Sequence, residues 1–113
     1  MSKPMLVSFR PRNNYTFVLP EKPFQLTESS VKLLKMIGAA PCVRRDAIPG
    51  KLYKYIYDLI RWDLVWRERA PHREDLFVIS PNGKVVLSII YENEGEVYKD
   101  SYQLSIERRQ ING

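Results

Sequence analysis

The sequence predicts an α+β fold, and three observations carry that prediction. Residues 27–38 and 51–62 place apolar side chains at helical spacing. From residue 64 the period falls to two, with Leu64 and Trp66 alternating against Val65 and Arg67. Two β-rich stretches, MLVSFR (5–10) and YTFVLP (15–20), precede the first helix.

The elements follow in order. Pro11-Arg12-Asn13-Asn14 is turn chemistry and joins residues 5–10 and 15–20 as a hairpin or two short extended segments. Thr27 supplies an N-cap acceptor for the first helix. Val31, Leu33, Leu34 and Ile37 form its stripe, Lys35 suits the dipole at its C-terminal end, and Gly38 and Pro41 stop it. Residues 43–48 (VRRDAI) predict a short second helix, closed by Pro49-Gly50. The third helix, 51–62, gathers Leu52, Ile56, Leu59 and Ile60 within about 100° of arc, with Lys54, Asp58 and Arg61 opposite.

Residues 64–69 and 75–80 then form an antiparallel pair of strands, joined by a charged loop around Pro71, His72 and Arg73. Pro81-Asn82-Gly83 predicts a turn. Residues 84–92 fit a strand by their β-branched content and a helix by their length. Glu94-Gly95 turns again, and 97–109 alternates loosely enough to predict a C-terminal strand.

Composition bounds the function. A chain of 113 residues has room for one domain with one modest core. No apolar run approaches the roughly 20 residues of a membrane span, no signal-peptide pattern opens the chain, and one cysteine rules out an internal disulfide. A cytoplasmic protein without membrane contact is the expectation. Net charge is +5, unevenly spread: residues 1–35 carry six bases and two acids, 41–75 eight and six, and 76–113 four and five. An anionic partner such as nucleic acid suits that balance.

Catalysis is not expected. The one histidine, His72, lies in a charged loop without a nucleophile beside it in sequence, and Cys42 suits a small packed residue better than a reactive thiol. No His/Cys spacing fits a metal, no glycine-rich phosphate loop is present, and Glu92, Glu94 and Glu96 fit a solvated acidic loop. No cofactor is expected.

The stretch LTESSVKLLKMIG, then RRDAI, PG, KLYKYIYDLIRWDLVWRER, the loop RAPHRED and the returning LFVIS-PNGK resembles, over about residues 26–83, the winged helix-turn-helix family of DNA-binding domains. The resemblance implies three helices (27–38, 43–48, 51–62) and a β wing (64–69, 75–80), with additional segments at 5–20 and 84–109. It also implies a recognition helix in the major groove and a wing reaching DNA. On that reading Lys51, Lys54, Tyr57 and Arg61 lie on the groove side of the third helix. Arg44 and Arg45 would lie near the backbone, and Arg67, Arg69 and Arg73 in or beside the wing. The partner would be duplex DNA, bound as a monomer or a homodimer.

A plainer reading treats the same bases as a solvated face, with Asp58, Asp63, Glu68 and Glu74 interleaved. Tyr53, Tyr55 and Tyr57 are expected to point in three directions, with Tyr53 and Tyr55 flanking the core, and Trp62 and Trp66 to serve the core or an interface. The chain would then be a non-catalytic protein-protein module, an adaptor, inhibitor or subunit (virus-encoded, for example), binding through edge strands and exposed aromatics.

Overall fold

The computed structural model describes residues 5–10, 14–19, 22–69 and 75–112. They form two small antiparallel sheets and a set of helices, a mixed α+β arrangement. The first sheet is a meander of β1 (Met5–Arg10), β2 (Asn14–Leu19) and β3 (Lys22–Leu26) in that order. Register pairs Phe17 with Phe24 and Tyr15 with Leu26, so all four share one face, and all four are buried. Stacked rings continue from Phe17 to Phe24 at 5.5 Å and from Phe24 to Trp62 at 5.2 Å, which ties this sheet to the end of a distant helix. The strand β3 was not anticipated. Pro23 breaks the usual strand pattern, and an edge strand tolerates it.

Helix α1 (Glu28–Gly38) matches expectation, with the Thr27 side chain accepting from the Ser30 N–H. Val31, Leu33, Leu34 and Ile37 are buried, and α1 packs on β3 and, of the elements described below, on the helices Gly50–Tyr53, Ile56–Arg61 and Pro81–Asn93 and the strand Asp75–Ile79. Gly38 closes it for a reason of packing: a Cβ there would meet Leu87 Cδ1 at 2.2 Å and Ile79 Cδ1 at 2.9 Å.

The expected helix 43–48 is not a helix. Val43–Arg44 is a short strand, β4, followed by a 3-10 turn over Arg45–Ala47. A helix of under two turns leaves most of its backbone groups unpaired, whereas a neighbouring strand offers Val43 and Arg44 partners opposite Phe77 and Leu76. Pro49 also holds Ile48 extended, at φ −88° and ψ 123°.

The expected third helix 51–62 divides into α2 (Gly50–Tyr53) and α3 (Ile56–Arg61), with a turn at Lys54 and Tyr55. The break is held by a hydrogen bond from Tyr55 N–H to the Leu52 carbonyl, and neither short helix has a side-chain cap. The buried stripe survives the break. Ile56 and Leu59 are fully buried, and Leu52 and Ile60 pack against the core.

Strands β5 (Val65–Arg69) and β6 (Asp75–Ile79) form the expected hairpin; its loop, with His72 and Arg73, lies outside the described residues. Strand order in the second sheet is β4-β6-β5, so β5 is an edge. Val43, Val65, Phe77 and Ile79 face the core.

Pro81-Asn82-Gly83 is the first turn of helix α4 (Pro81–Asn93), not a reverse turn. Ser80 caps it by accepting from the Gly83 N–H at 3.0 Å, and Pro81 sits at the start, where its missing N–H costs nothing. Gly83, Val86, Leu87 and Ile90 are the buried face, at helical spacing, which decides the 84–92 question for helix.

The expected C-terminal strand is instead helix α5 (Ser101–Asn112). Asp100 and Gln103 bond each other's backbone N–H groups, at 2.9 Å to Asp100 Oδ1 and 3.1 Å to Gln103 Oε1, a capping box that starts the helix. Among the described residues, no helix is long and apolar enough to cross a membrane.

Candidate nucleic-acid interface

The sequence-predicted bases fall into two groups. The first is the outer side of α2 and α3. Lys51, Lys54, Tyr57 and Arg61 are all exposed there, Tyr57 at 54%. Their exposure follows from the inward turn of Leu52, Ile56, Leu59 and Ile60, since side chains three and four apart share a helix face. Lys54 Nζ lies over the Tyr55 ring at 5.2 Å, and Arg61 is 3.9 Å from Asp58. That last pair is solvent-exposed and contributes about 0–1 kcal/mol, so Arg61 can exchange Asp58 for another anion.

The second group surrounds an open cleft of about 520 Å³ between the 3-10 turn, α2 and β6. It is lined by Arg44 and Arg45, by Asp46, Tyr53 and Asp75, and by Ile48 and Gly50. The Arg45 guanidinium lies over the Tyr53 ring at 4.9 Å. Arg44 approaches Asp46 at 3.7 Å. Tyr53 is braced edge-to-face by Phe77 at 6.2 Å and by Tyr57 at 6.0 Å. Burial first, and the hydrogen-bonded Tyr57 hydroxyl second, push the Tyr53 phenol above its ordinary pKa, against a lowering pull from Arg45. Tyr53 is therefore a neutral ring at neutral pH.

The structure corrects three expectations here. Tyr53 and Tyr57 do not point apart: they are four residues apart and meet edge-to-face, which links the cleft to the outer side of α3. Arg67 is spoken for: its guanidinium makes two 3.1 Å bonds to the Asp75 carboxylate across the hairpin. Cys42 is exposed rather than packed. Of the remaining predicted residues, Arg69 is exposed at the end of β5 opposite Asp75, and Arg73 lies outside the described residues.

Three residues gained a place that sequence reasoning did not give them. Tyr53 packs at the core margin as expected, and it also lines the cleft. Asp46 and Asp75 were counted only as diluting charge, yet they line the same cleft as Arg44 and Arg45. The i, i+4 spacing of Tyr53 and Tyr57 was the available signal for the first. Asp46 and Asp75 meet only through the pairing of β4 with β6, which no local pattern announces.

Trp66 is 46% exposed on the edge strand β5, and its indole N–H donates to Asp63 Oδ1 at 2.7 Å. Trp62 is half-buried against the core. Among the described residues, no group of three or more His, Cys, Asp or Glu side chains is placed to hold a metal ion. Comparison with known proteins returned no matching family model, no similar curated protein and no similar solved structure.

Proposed function

We propose that this chain is a small DNA-binding protein acting in transcriptional regulation, of the winged helix-turn-helix kind. The outer side of α2 and α3 meets duplex DNA, and the 69–73 loop serves as the wing. The observation that carries this reading is that Lys51, Lys54, Tyr57 and Arg61 are all exposed along the segment 51–61 that leads into the β5–β6 hairpin. Lysine and arginine on such a face neutralise phosphates, and their released counterions drive binding. Arg44 and Arg45, exposed beside the cleft, add further bases near this segment. With the helix broken at Lys54 and Tyr55, the base-reading part is the six-residue α3, so a second copy would be needed to read a longer site.

The test is binding of duplex DNA by fluorescence anisotropy across a salt series. Wild type is expected to lose affinity steeply with salt. Lys54→Ala/Arg61→Ala removes two phosphate contacts and lowers the slope of log K against log salt by about 2.

One observation favours a second reading, a protein-binding module. Among the described residues, strand β5 is a sheet edge, it carries the exposed Trp66, and the charge of Arg67 beside it is held by Asp75. A peptide partner would add a strand there and cover the indole. Trp66→Ala would abolish such a complex and leave DNA affinity unchanged.

A further inference from the structure

We propose that the cleft between the 3-10 turn, α2 and β6 binds a single unstacked nucleotide, its base on the Arg45–Tyr53 pair, its N–H edge toward Asp46 and its phosphate toward Arg44. The inference deepens the nucleic-acid reading and rests on it for the anionic character of the partner. Its residues are otherwise those of the cleft rather than of the outer side of α3.

Four features of the cleft point to this ligand. Its volume, about 520 Å³, is in the range of small-ligand sites. The Arg45 guanidinium over the Tyr53 ring makes a cation–π pair, and bases stack on arginine planes and aromatic rings alike. Phe77 and Tyr57 pack edge-to-face with the Tyr53 ring, so that ring is held in place before any ligand arrives. The cleft also carries both signs of charge. A bare anion answers only the arginines and a bare cation only the carboxylates. A nucleotide answers both, with a phosphate for a guanidinium and base N–H donors for a carboxylate.

The acceptor is Asp46 rather than Asp75. Both Asp75 oxygens already take bonds from Arg67, whereas the Asp46 side chain is 76% exposed with its contact to Arg44 at 3.7 Å. A carboxylate only accepts. It therefore favours base edges rich in N–H donors, guanine first, and gains nothing from an acceptor-rich thymine edge beyond one N–H.

The experiment titrates the full chain with guanosine 5′-monophosphate, thymidine 5′-monophosphate and a short guanine-containing single strand. Calorimetry and backbone NMR shifts are the readouts. Wild type is expected to bind the guanosine nucleotide saturably, with the largest shifts at Arg45, Asp46 and Tyr53. Arg45→Gln is expected to weaken it about 10-fold, since losing one stacking partner costs about one to two powers of ten. Asp46→Asn is expected to remove the preference for guanine over thymine. Both positions are exposed, and circular dichroism checks that each variant folds.

A single strand that binds more tightly than the mononucleotide through the same residues identifies the ligand as a base within a strand; the reverse order identifies a free nucleotide. Absence of saturable binding by wild type, shifts outside the cleft, or variants that bind as wild type does would overturn the proposal. Duplex binding without nucleotide binding overturns the cleft alone. Nucleotide binding without duplex binding overturns the duplex reading alone.

Discussion

Asp63 has φ +57°, the one described non-glycine residue in the left-handed region, and it joins three elements there. Its Oδ1 accepts from the Trp66 indole, its Oδ2 accepts from Asn82 at 3.1 Å, and its carbonyl accepts from the Ser80 hydroxyl. Aspartate tolerates that backbone better than alanine does. Asp63→Ala loses two side-chain bonds and strains the backbone, and is expected to cost about 2 kcal/mol in chemical denaturation, with Asp63→Gly costing less. Gly83 is less forgiving, since a Cβ would lie 2.1 Å from the Leu64 carbonyl oxygen. Backbone cannot yield as Leu87 can at Gly38, so Gly83→Ala should destabilise more than Gly38→Ala, by about 3 against 1–2 kcal/mol. Equilibrium urea curves of the two variants check the order.

Tyr98 shows how one phenol couples stability to pH. Its hydroxyl donates to the Gly38 carbonyl at 2.7 Å, and burial, helped by Asp100 and Tyr91, pushes its pKa up to about 12. The folded state then holds the proton more tightly than the unfolded state, whose tyrosines titrate near their ordinary value of 10.0. That stabilisation is whole below about pH 10 and is lost as pH rises toward about 12. Tyr98→Phe should be about 1 kcal/mol less stable at neutral pH and should lose stability less steeply above pH 10. Tyr15, raised by burial and Glu94, and Tyr53 keep part of the alkaline decline in that variant.

At the scale of elements, the legible parts were those whose signals are local. Thr27 and the Val31–Ile37 stripe mark α1, and the alternation after residue 64 marks the hairpin. Two further helices carried local signals that compete with others. Ser80-Pro81 starts α4, but Pro-Asn-Gly is also turn chemistry; the buried spacing of Gly83, Val86, Leu87 and Ile90 settles the competition. Asp100 and Gln103 start α5, but the loose alternation of 97–109 also suits a strand. Asp100→Ala should therefore fray α5, lowering helical circular dichroism and costing about 1 kcal/mol. Strand β4 was not legible locally at all. It exists because β6 has a free edge beside Val43 and Arg44, a contact some 30 residues away in sequence. The cleft inherits that opacity. Its arginines and Tyr53 lie within one stretch of sequence, and its geometry depends on β4 meeting β6.

For the whole molecule, charge placement decides between a nucleic-acid surface and a solvated one. The chain's +5 is modest, and acids hold several of its bases: Asp75 holds Arg67, Asp58 approaches Arg61 and Asp46 approaches Arg44. Lys51, Lys54 and Arg69 keep their charge toward solvent or an aromatic ring, and Arg61 can exchange its exposed acid partner for a phosphate. About four phosphate contacts follow, a salt slope near −3 to −4 rather than the −10 of a large regulator. The most direct test is anisotropy of the full chain with a duplex of roughly 25 base pairs, from low to near-physiological salt. The account predicts binding with that slope, reduced by about 2 in Lys54→Ala/Arg61→Ala. No binding at low salt, or equal slopes for the two proteins, would contradict it.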